Sequence, residues 1–388
     1  MAKWNYVKIG DVCTVERGGS PRPIDKFITD DPNGINWIKI GDATDSMYIT
    51  ETAQKIIPEG MKKSRYVQPG DFLLSNSMSF GRPYILKIDG CIHDGWLVLR
   101  DNGGVFDKRF LYYYLSSPST YQKFKNMAVG GVVNNLNSDM VRGVTVPILK
   151  MEEQIEIVQT LDNVSNLIFL RKQQLAKLDE LVKARFVELF GDPVSNPHGY
   201  SKVPLSELAD IKIGPFGSLL HKEDYVANGH ALVNPSHIVD GKISVDDELT
   251  VSDEKFRELS AYHLQVGDVV MGRRGEMGRC AVVQTGGLLC GTGSLLIRTK
   301  GEVTADYLQK IISFPSFKKA IEDMAVGQTM PNLNVPIVSR FQIIQPPIEV
   351  QKAYYTFVEQ TDKSKVAVQK ALDEAQLLFD SLMQKYFG

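Results

Sequence analysis

Residues 152–191 read EEQIEIVQTLDNVSNLIFLRKQQLAKLDELVKARFVELFG, and this stretch decides how the rest of the chain is interpreted. Apolar side chains recur at every seventh position, and a second apolar set, broken by Arg171 and Arg185, lies between them. A heptad pattern without proline predicts one helix of roughly 39 residues and about 58 Å, ended by Gly191 and Pro193. Such a helix is too long for one small core, so it needs a partner helix. The predicted pairing positions on it are Leu161, Ile168, Leu175, Val182 and Leu189.

The composition is that of an ordinary globular protein, with 43% hydrophobic and 23% charged residues among 388. No apolar run is long enough to span a membrane, and the first residues lack a signal-peptide pattern, so cytoplasmic residence is expected. The four cysteines show no metal-binding spacing, which favours buried free thiols over a zinc site or a disulfide framework. They are Cys13, Cys91, Cys280 and Cys290.

The net charge of −2 argues against a uniformly basic nucleic-acid binder. Residues 1–150 carry 19 basic and 15 acidic side chains, whereas residues 191–347 carry 15 basic and 18 acidic ones. Any surface that binds nucleic acid must therefore be a local patch.

The chain repeats itself after about 197 residues. MAVG at 127–130 returns at 324–327, NLN at 135–137 returns at 332–334, and FG at 190–191 returns as the last two residues. Shorter matches at the same offset are Gly-Asp, Gly-Arg and Glu-x-Gln. Several ordered matches at one offset indicate a tandem duplication.

The duplication places a second long helix at about residues 350–386. Because the first helix leaves one half and the second begins at the other, pairing along their length requires antiparallel directions. The halves would then lie at opposite ends of the pair, related by a pseudo-two-fold axis. The alternative is that each helix packs only on its own half. The pairing positions predicted on the second helix are Val358, Leu372, Phe379 and Tyr386, with Lys365 interrupting the series.

Each half mixes strand-like and helix-like runs without regular alternation, which predicts an α+β fold with two pseudo-symmetric mixed domains joined by two long antiparallel coiled-coil helices. In the first half, strands are expected at 36–40, 71–75, 96–100 and 143–148, and helices at 108–115 and 119–127. In the second half, strands are expected at 231–234, 268–272, 294–298 and 341–344, and helices at 305–312 and 317–324. The predicted division is one globular domain at 1–150, a helix at 151–191, a second globular domain at 192–347 and a helix at 348–388.

Three Gly-rich, polar or basic loops in each half are candidates for ligand contact. Glycine lets a backbone approach a ligand, and arginine, asparagine, glutamine and serine offer hydrogen bonds to phosphates or base edges. Ordinary surface loops are the alternative, and the repeated Arg82 and Arg279 could instead brace their own loops. The candidate contacts to a phosphate or a base edge are Arg17, Ser20, Arg22, Asn76, Arg82, Asn134, Ser218, Arg273, Arg274, Arg279, Gln328 and Thr329.

Signatures of catalysis are missing from the sequence. It contains no phosphate-binding loop, dinucleotide fingerprint or nucleophile elbow, and no Asn/Asp-Pro-Pro-aromatic motif of amino-methyltransferases. His93 and Asp94 are adjacent but have no evident nucleophile. The pattern favours a binding protein over an enzyme, with no catalytic residue and no metal site of its own.

The order of domain, helix, domain, helix resembles the specificity subunits of Type I restriction–modification systems. RFVELFGDP at 185–193 looks like that family's motif at the end of its first helix, and PPIEVQ at 346–351 resembles the start of its conserved helix. Leu149 and Lys150 replace the two prolines in the first copy. GDVV at 267–270 and the Gly-rich loop at Arg279 are similar to its target-recognition domains, and the resemblance covers essentially the whole chain.

This resemblance implies that each half reads one half of a split duplex DNA site while the helix pair sets the gap. A 58 Å helix corresponds to roughly 17 base pairs between attachment points, which is an upper bound on the unread spacer. It also implies two methyltransferase subunits and restriction/translocation subunits as partners, with S-adenosylmethionine, ATP and Mg2+ bound by those partners. A duplicated protein–protein or carbohydrate-binding scaffold is the alternative function.

Overall fold

The computed structural model describes residues 4–76, 81–128, 135–246, 248–325 and 332–388. The chain divides into two compact units, and the protein is α+β. The first unit comprises Met1–Gln173 and Gln369–Gly388, and the second comprises Gln174–Val368. Each long helix therefore contributes one part of its length to each unit.

Within the described residues, the first unit has twelve short strands in three sheets of order β1-β12, β3-β6-β4-β10-β7 and β2-β11-β8-β9-β5. Most neighbours are antiparallel, but β4–β10 and β5–β9 are parallel. The strands are β1 (Asn5–Lys8), β2 (Cys13–Arg17), β3 (Ile28–Thr29), β4 (Ile35–Ile38), β5 (Tyr48–Ile49), β6 (Gln54–Ile56), β7 (Arg65–Val67), β8 (Phe72–Ser75), β9 (Pro83–Leu86), β10 (Gly90–Ile92), β11 (Trp96–Asp101) and β12 (Thr145–Ile148).

The helices of the first half are short except for the last. Asp107 caps α3 by accepting hydrogen bonds from the backbone of Arg109 and Phe110. They are α1 (Ile9–Val12), α2 (Pro58–Met61), α3 (Lys108–Ser116), α4 (Pro118–Ala128), α5 (Ser138–Gly143) and α6 (Met151–Phe190).

The second unit repeats this plan. Among its described residues the sheets have the orders β13-β25, β14-β24-β21-β22 and β15-β19-β16-β23-β20, with a small added pair β17-β18. The strands are β13 (Lys202–Pro204), β14 (Ala209–Ile213), β15 (Tyr225–Val226), β16 (His230–Val233), β17 (Ile238–Val239), β18 (Lys242–Ile243), β19 (Thr250–Val251), β20 (His263–Leu264), β21 (Val269–Gly272), β22 (Cys280–Val282), β23 (Leu288–Cys290), β24 (Ser294–Thr299) and β25 (Gln342–Ile344). The helices are α7 (Leu205–Leu208), α8 (Asp253–Glu258), α9 (Ala305–Ile312), α10 (Pro315–Ala325), α11 (Val335–Ser339) and α12 (Ile348–Phe387).

The predicted α+β class and the duplication are confirmed by these matching sheet orders. The eight predicted strands and four predicted short helices are all present, with ends that differ by a few residues. The remaining strands, which are two to five residues long, were not predicted, because such short runs show little readable alternation.

Equivalent contacts explain several of the repeated sequence matches. The repeated aspartates, Asp71 and Asp268, form bidentate pairs with Arg100 and Arg298, with nitrogen–oxygen distances of 2.9–3.2 Å in the first unit and 2.7 Å in the second. Each carboxylate also accepts the backbone N–H three residues before it. These matches therefore belong to the scaffold that carries the loops.

Both long helices are observed, each with 40 residues, and their ends lie within two residues of the predicted ones. Gly191 has φ +68°, the left-handed conformation expected of a glycine that follows a helix. The division into four sequence segments stays a prediction, because the compact units cut both helices near their middle.

In the second unit the two helices run antiparallel. Asp179 of α6 pairs with Lys365 of α12 at 2.7 Å. Further along α6, Phe186 and Phe190 pack on Tyr354, which comes earlier in α12, with ring centroids 5.6 and 5.4 Å apart.

In the first unit, the end of α12 packs on α3. Phe387 contacts Phe110 and Tyr114 at centroid distances of 5.6 and 5.7 Å. Asp162 of α6 accepts hydrogen bonds from Arg109 and Tyr113 of the same α3, both at 2.6 Å. The alternative that each long helix packs only on its own half is therefore wrong.

Burial along the helices is uneven. Leu161 and Ile168 are buried, whereas the other predicted pairing positions are half-buried: Leu175, Val182, Leu189, Val358, Leu372, Phe379 and Tyr386. The interleaved positions of α12 are the more buried ones, among them Tyr354, Thr361, Val368 and Ala375. Their pairing role stays a prediction.

The four cysteines are free and buried, as predicted. Burial, with a contribution from the charge of Asp101, raises the pKa of Cys13 to about 12, and burial raises that of Cys280 to about 11. Among the described residues, no group of His, Cys, Asp and Glu could hold a metal ion. None of the helices in the described ranges has the length and apolar character needed to cross a membrane.

Candidate nucleic-acid interface

Four predicted contact residues of the first unit converge on Asp94, in the turn between β10 and β11. The hydroxyl of Ser20 donates to its carboxylate at 2.9 Å, and Arg22 approaches the other carboxylate oxygen at 3.5 Å. Arg17 and Asn76 donate to the Asp94 backbone carbonyl, at 3.0 and 2.9 Å. Residues from the segment at the end of β2 and from the loop after β8 thus meet at one aspartate.

The order β2-β11-β8 explains this convergence. Trp96, the first residue of β11, pairs with Ser75 at the end of β8, while Leu97 pairs with Arg17 at the end of β2. The loops after β2 and β8 therefore leave the sheet beside the turn that precedes β11.

Gly18 permits the close crossing at this point. A Cβ atom on Gly18 would overlap the carbonyl oxygen of His93, so a larger residue would push the loop after β2 away from the turn. The backbone N–H of Gly18 instead donates to the carbonyl of Trp96 at 2.9 Å. The glycine thereby brings Ser20 onto Asp94.

The Asp94 carboxylate is ionised at neutral pH. Partial burial acts to raise its pKa, but the Ser20 hydrogen bond and the charges of His93, Arg17 and Arg22 outweigh burial and lower it. His93 Nε2 lies 2.9 Å from the carboxylate, while its Nδ1 accepts the N–H of Gly95 at 2.9 Å. This leaves Nε2 as the nitrogen that carries the proton toward Asp94.

A cleft of about 820 Å³ opens beside this cluster. Arg22, Trp37, Lys39, Gln54 and His93 are among the residues that line it. Polar groups around a partly apolar floor suit a ligand that offers both flat faces and hydrogen-bonding edges.

Asn76 differs from the other candidates in burial, because its side chain is only 1% exposed. Its Nδ2 donates to the Asp94 carbonyl, and its Oδ1 is buried with no hydrogen-bond partner among the residues that the structure describes. From this position Asn76 orients the turn and does not reach the surface.

Arg82 is exposed, and within the described residues no carboxylate or carbonyl pairs with its guanidinium. It lies at a second cavity of about 410 Å³, which Asp45, Tyr84, Tyr112 and Tyr121 also line. An exposed arginine of this kind is available to a phosphate.

The second unit builds the same loop crossing with other side chains. Ser294 opens β24 and pairs with Gly272, the counterpart of Ser75. A Cβ on Gly214 would overlap the carbonyl oxygen of Gly291, just as one on Gly18 would overlap that of His93. Arg273 takes the place of Asn76.

Backbone hydrogen bonds prove this last equivalence. The N–H of Asn76 donates to Gly95, and that of Arg273 to Gly293, both at 2.9 Å. The carbonyl of Asn76 accepts from Leu136, and that of Arg273 from Leu333, again at 2.9 Å. The strand registers then place Thr292 at the position of Asp94.

Arg273 and Arg274 supply positive charge to a cleft of about 310 Å³, which Phe216 and Thr292 also line. Arg273 Nε donates to the carbonyl of Leu333 at 3.0 Å. Burial, and then the charge of Arg274, lower the pKa of Arg273. Within the described residues neither arginine has a carboxylate partner, and Phe216 is 61% exposed.

Arg279 is engaged within its own unit. Its guanidinium binds Glu276 at 2.9 Å and donates to the Pro235 carbonyl at 3.3 Å, while Lys318 binds the other Glu276 oxygen at 2.6 Å. The lysine and the arginine together lower the pKa of Glu276. These contacts are those of a residue that braces its loop.

Ser218 lies exposed in a short 3-10 turn after β14. Asn134, Gln328 and Thr329 lie outside the described residues. The sequence interpretation missed His93, Asp94, Phe216 and Thr292 as members of the clefts. The His93–Asp94 pair was visible, but nothing local indicated that loops about 18 and 74 positions away would meet it.

Comparisons with known proteins agree with this repeated architecture. The family model of the Type I restriction modification DNA specificity domain matches twice, at residues 1–180 and 197–375. The specificity subunit of the Type I restriction enzyme MjaVIII from Methanocaldococcus jannaschii is 20% identical over 370 residues, which cover 90% of this chain and 84% of that protein.

Solved structures show the same fold. A chain from a study of complex assembly and conformational transition of the type I R-M system has a TM-score of 0.64 at 17% identity, covering 100% of this chain and 98% of that one. The S subunit from M. genitalium has a TM-score of 0.56 at 14% identity, with 100% and 97% covered. The HsdS subunit from Thermoanaerobacter tengcongensis has a TM-score of 0.51 at 19% identity, again with 100% and 97% covered.

The two family matches span most of the chain, and they correspond to the two halves that the sheet orders show to be duplicates. The chain therefore belongs to the Type I restriction–modification DNA specificity family, and it is the non-catalytic subunit that recognises DNA sequence.

Proposed function

We propose that the chain recognises a bipartite duplex DNA site, with each unit reading one half of that site. The observation that carries this proposal is the repeated loop crossing at Gly18 and Gly214, built on equivalent strands but lined by different side chains. A constant scaffold with variable lining is what two readers of different sequences require.

The candidate residues differ in exposure, and we assign them different roles in DNA binding. Arg17, Arg22 and Arg82 in the first unit and Arg274 in the second are exposed, which suits phosphates that come close to the surface. Arg279 already has Glu276 and Pro235 as partners, so bracing fits it better than phosphate contact. Ser20, held by Asp94, and the half-buried Arg273 lie deeper, where a base edge would enter. Ser218, Asn134, Gln328 and Thr329 remain proposed contacts.

The two long helices would act as the spacer between half-sites. Each has 40 residues, equivalent to about 60 Å of helix. At about 3.4 Å per base pair this limits the distance between attachment points to roughly 18 base pairs. The length of the spacer would thus depend on the long helices, and the half-site bases would depend on the loops of the two units.

Two methyltransferase subunits and restriction/translocation subunits are the proposed protein partners, since a duplicated chain can present equivalent surfaces to two copies of one protein. S-adenosylmethionine, ATP and Mg2+ would belong to those subunits. We place the activity in the cytoplasm, where chromosomal DNA would be accessible.

Methylome sequencing of a host that expresses the chain with its methyltransferase tests the proposal. The expected result is one split motif with a modified adenine in each half and a fixed unread gap. A single uninterrupted motif would contradict the bipartite reading. Absence of any motif, with the methyltransferase bound and active on other DNA, would favour the alternative of a scaffold without a nucleic-acid role.

A further inference from the structure

The two clefts offer opposite hydrogen-bonding chemistry at equivalent backbone positions. In the first unit the turn before β11 presents the carboxylate of Asp94, where the second unit has the neutral Thr292. In the second unit Arg273 and Arg274 follow β21, where the first unit has the buried amide of Asn76. At these equivalent positions the first cleft, which Arg22 and Lys39 also line, therefore presents an anionic acceptor, and the second cleft presents cationic donors.

One oxygen of the Asp94 carboxylate is available to a ligand. Its Oδ1 already accepts hydrogen bonds from Ser20 and His93, both at 2.9 Å. Its Oδ2 has the Arg22 guanidinium at 3.5 Å, on a side chain that is 83% exposed. An ion pair this long and this exposed is weak, and DNA phosphates compete for the arginine. When Arg22 turns to a phosphate, Oδ2 is left as a fixed acceptor at the cleft.

Within the described residues, the second cleft instead has arginine donors that lack an acceptor. Arg273 uses Nε for the Leu333 carbonyl, which leaves the two terminal nitrogens of its guanidinium directed away from that bond. Arg274 is exposed beside it, and the described residues supply no carboxylate to either side chain. Two neighbouring guanidinium groups that no described carboxylate neutralises would bind acceptor atoms of a ligand.

Different base edges in the major groove match the carboxylate of the first cleft and the arginines of the second. Guanine presents two acceptors, O6 and N7, which a guanidinium binds in a bidentate manner. Cytosine and adenine present exocyclic amino donors, which a carboxylate accepts. We propose that the first unit selects a base with an exocyclic amino group, cytosine or adenine, through Asp94, and that the second unit selects guanine through Arg273 and Arg274. This inference rests on the proposed function that each unit reads one half-site.

Selection from a random-sequence duplex pool tests the first part, using the full chain in complex with its methyltransferase partner. Asp94→Asn keeps the size of the side chain but replaces an acceptor with a donor. We expect the preference for an amino base at one position of one half-site to fall by about tenfold, with the other half-site unchanged. Asp139→Asn is the matched control, because the side chain of Asp139 is 88% exposed on α5 and pairs with Arg142, away from the cleft residues. It should leave both half-sites intact.

The second part is tested in the same selection with Arg273→Gln and Arg274→Gln. At least one of them should reduce guanine selection by about tenfold or more at one position of the other half-site. Arg257→Gln, at an exposed arginine of α8, is the control and should change neither half-site.

Three outcomes would overturn the inference. Uniform weakening on all sequences by the arginine variants, with an intact motif, would assign those arginines to phosphates. Loss of a whole half-site by Asp94→Asn, together with a lowered unfolding midpoint, would make Asp94 a positioning residue. An unchanged base preference in all three cleft variants would exclude both assignments. A wild-type complex that selects no split motif would instead refute the proposed function itself.

Discussion

The attachment of α12 to its domain depends on one buried glutamine. Gln351 in the first turn of α12 is 0% exposed, and its side chain makes three hydrogen bonds. Its Oε1 accepts the N–H of Thr304 at 3.0 Å, while its Nε2 donates to the carbonyls of Pro346 at 2.9 Å and Glu302 at 3.3 Å. Thr304 is the N-cap of α9, so the glutamine joins two helix starts.

Replacing Gln351 with alanine should therefore destabilise the second unit by about 3 kcal/mol, from three hydrogen bonds at about 1 kcal/mol each. The partly buried backbone N–H of Thr304 would lose its acceptor, which adds to this cost. Gln154 makes the same three bonds in the first unit, to Asp107 at 2.9 Å, Val105 at 2.9 Å and Leu149 at 3.1 Å. Gln154→Ala should cost a similar amount there.

Urea unfolding measures the free energy, and hydrogen exchange of peptides from each unit shows where the loss occurs. Gln360→Ala is the control, because Gln360 is exposed on the same helix and should change the free energy of unfolding by less than about 0.5 kcal/mol. The reasoning fails if Gln351→Ala costs less than about 1 kcal/mol, or if its faster exchange appears equally in the unit that holds Gln154.

Three further predictions concern the helices, the core and the thiols. Deleting one heptad from each long helix should shorten the recognised gap and leave the half-site bases unchanged in methylome sequencing; altered bases with a constant gap would refute the spacer role. Phe387→Ala should cost about 3–5 kcal/mol in urea unfolding, because the ring is 5% exposed and packs on Phe110 and Tyr114; a cost near zero would show that this helix end is not anchored. The four buried thiols should react with a thiol reagent at pH 8 only after unfolding, since burial raises the pKa of each, for example that of Cys280 to about 11; rapid labelling of the native protein would contradict this.

A pH prediction follows from Asp94. Its pKa is lowered in the folded state, so its contribution to stability is complete above the ordinary value for aspartate, about 3.9, and is lost as pH falls through the lower folded value. Asp94→Asn should therefore flatten the acid limb of the stability curve and leave its slope near neutral pH unchanged. Thermal unfolding midpoints measured across that range check this, and identical acid limbs would contradict it.

Much of the architecture was readable from the sequence because it is encoded in periodic patterns. A heptad repeat identifies a long helix by itself, and two segments with the same ordered matches at one offset share a fold. The repeated glutamines, Gln154 and Gln351, were visible as matches. Their function was not, because it depends on burial and on partners 47 residues away.

The recognition cleft was decided only by tertiary structure. Sequence composition selected Arg17, Ser20, Arg22 and Asn76 from two loops but did not indicate that all four surround Asp94, or that Asn76 is buried. Those contacts depend on the strand order β2-β11-β8 and on a glycine that lets two loops cross, and neither leaves a local signal. The sequence by itself determined two equivalent domains and their long helices, since periodicity and repetition are properties of the chain. Which side chains meet at each cleft is a property of the folded sheet, since strand order brings together residues that are far apart in sequence.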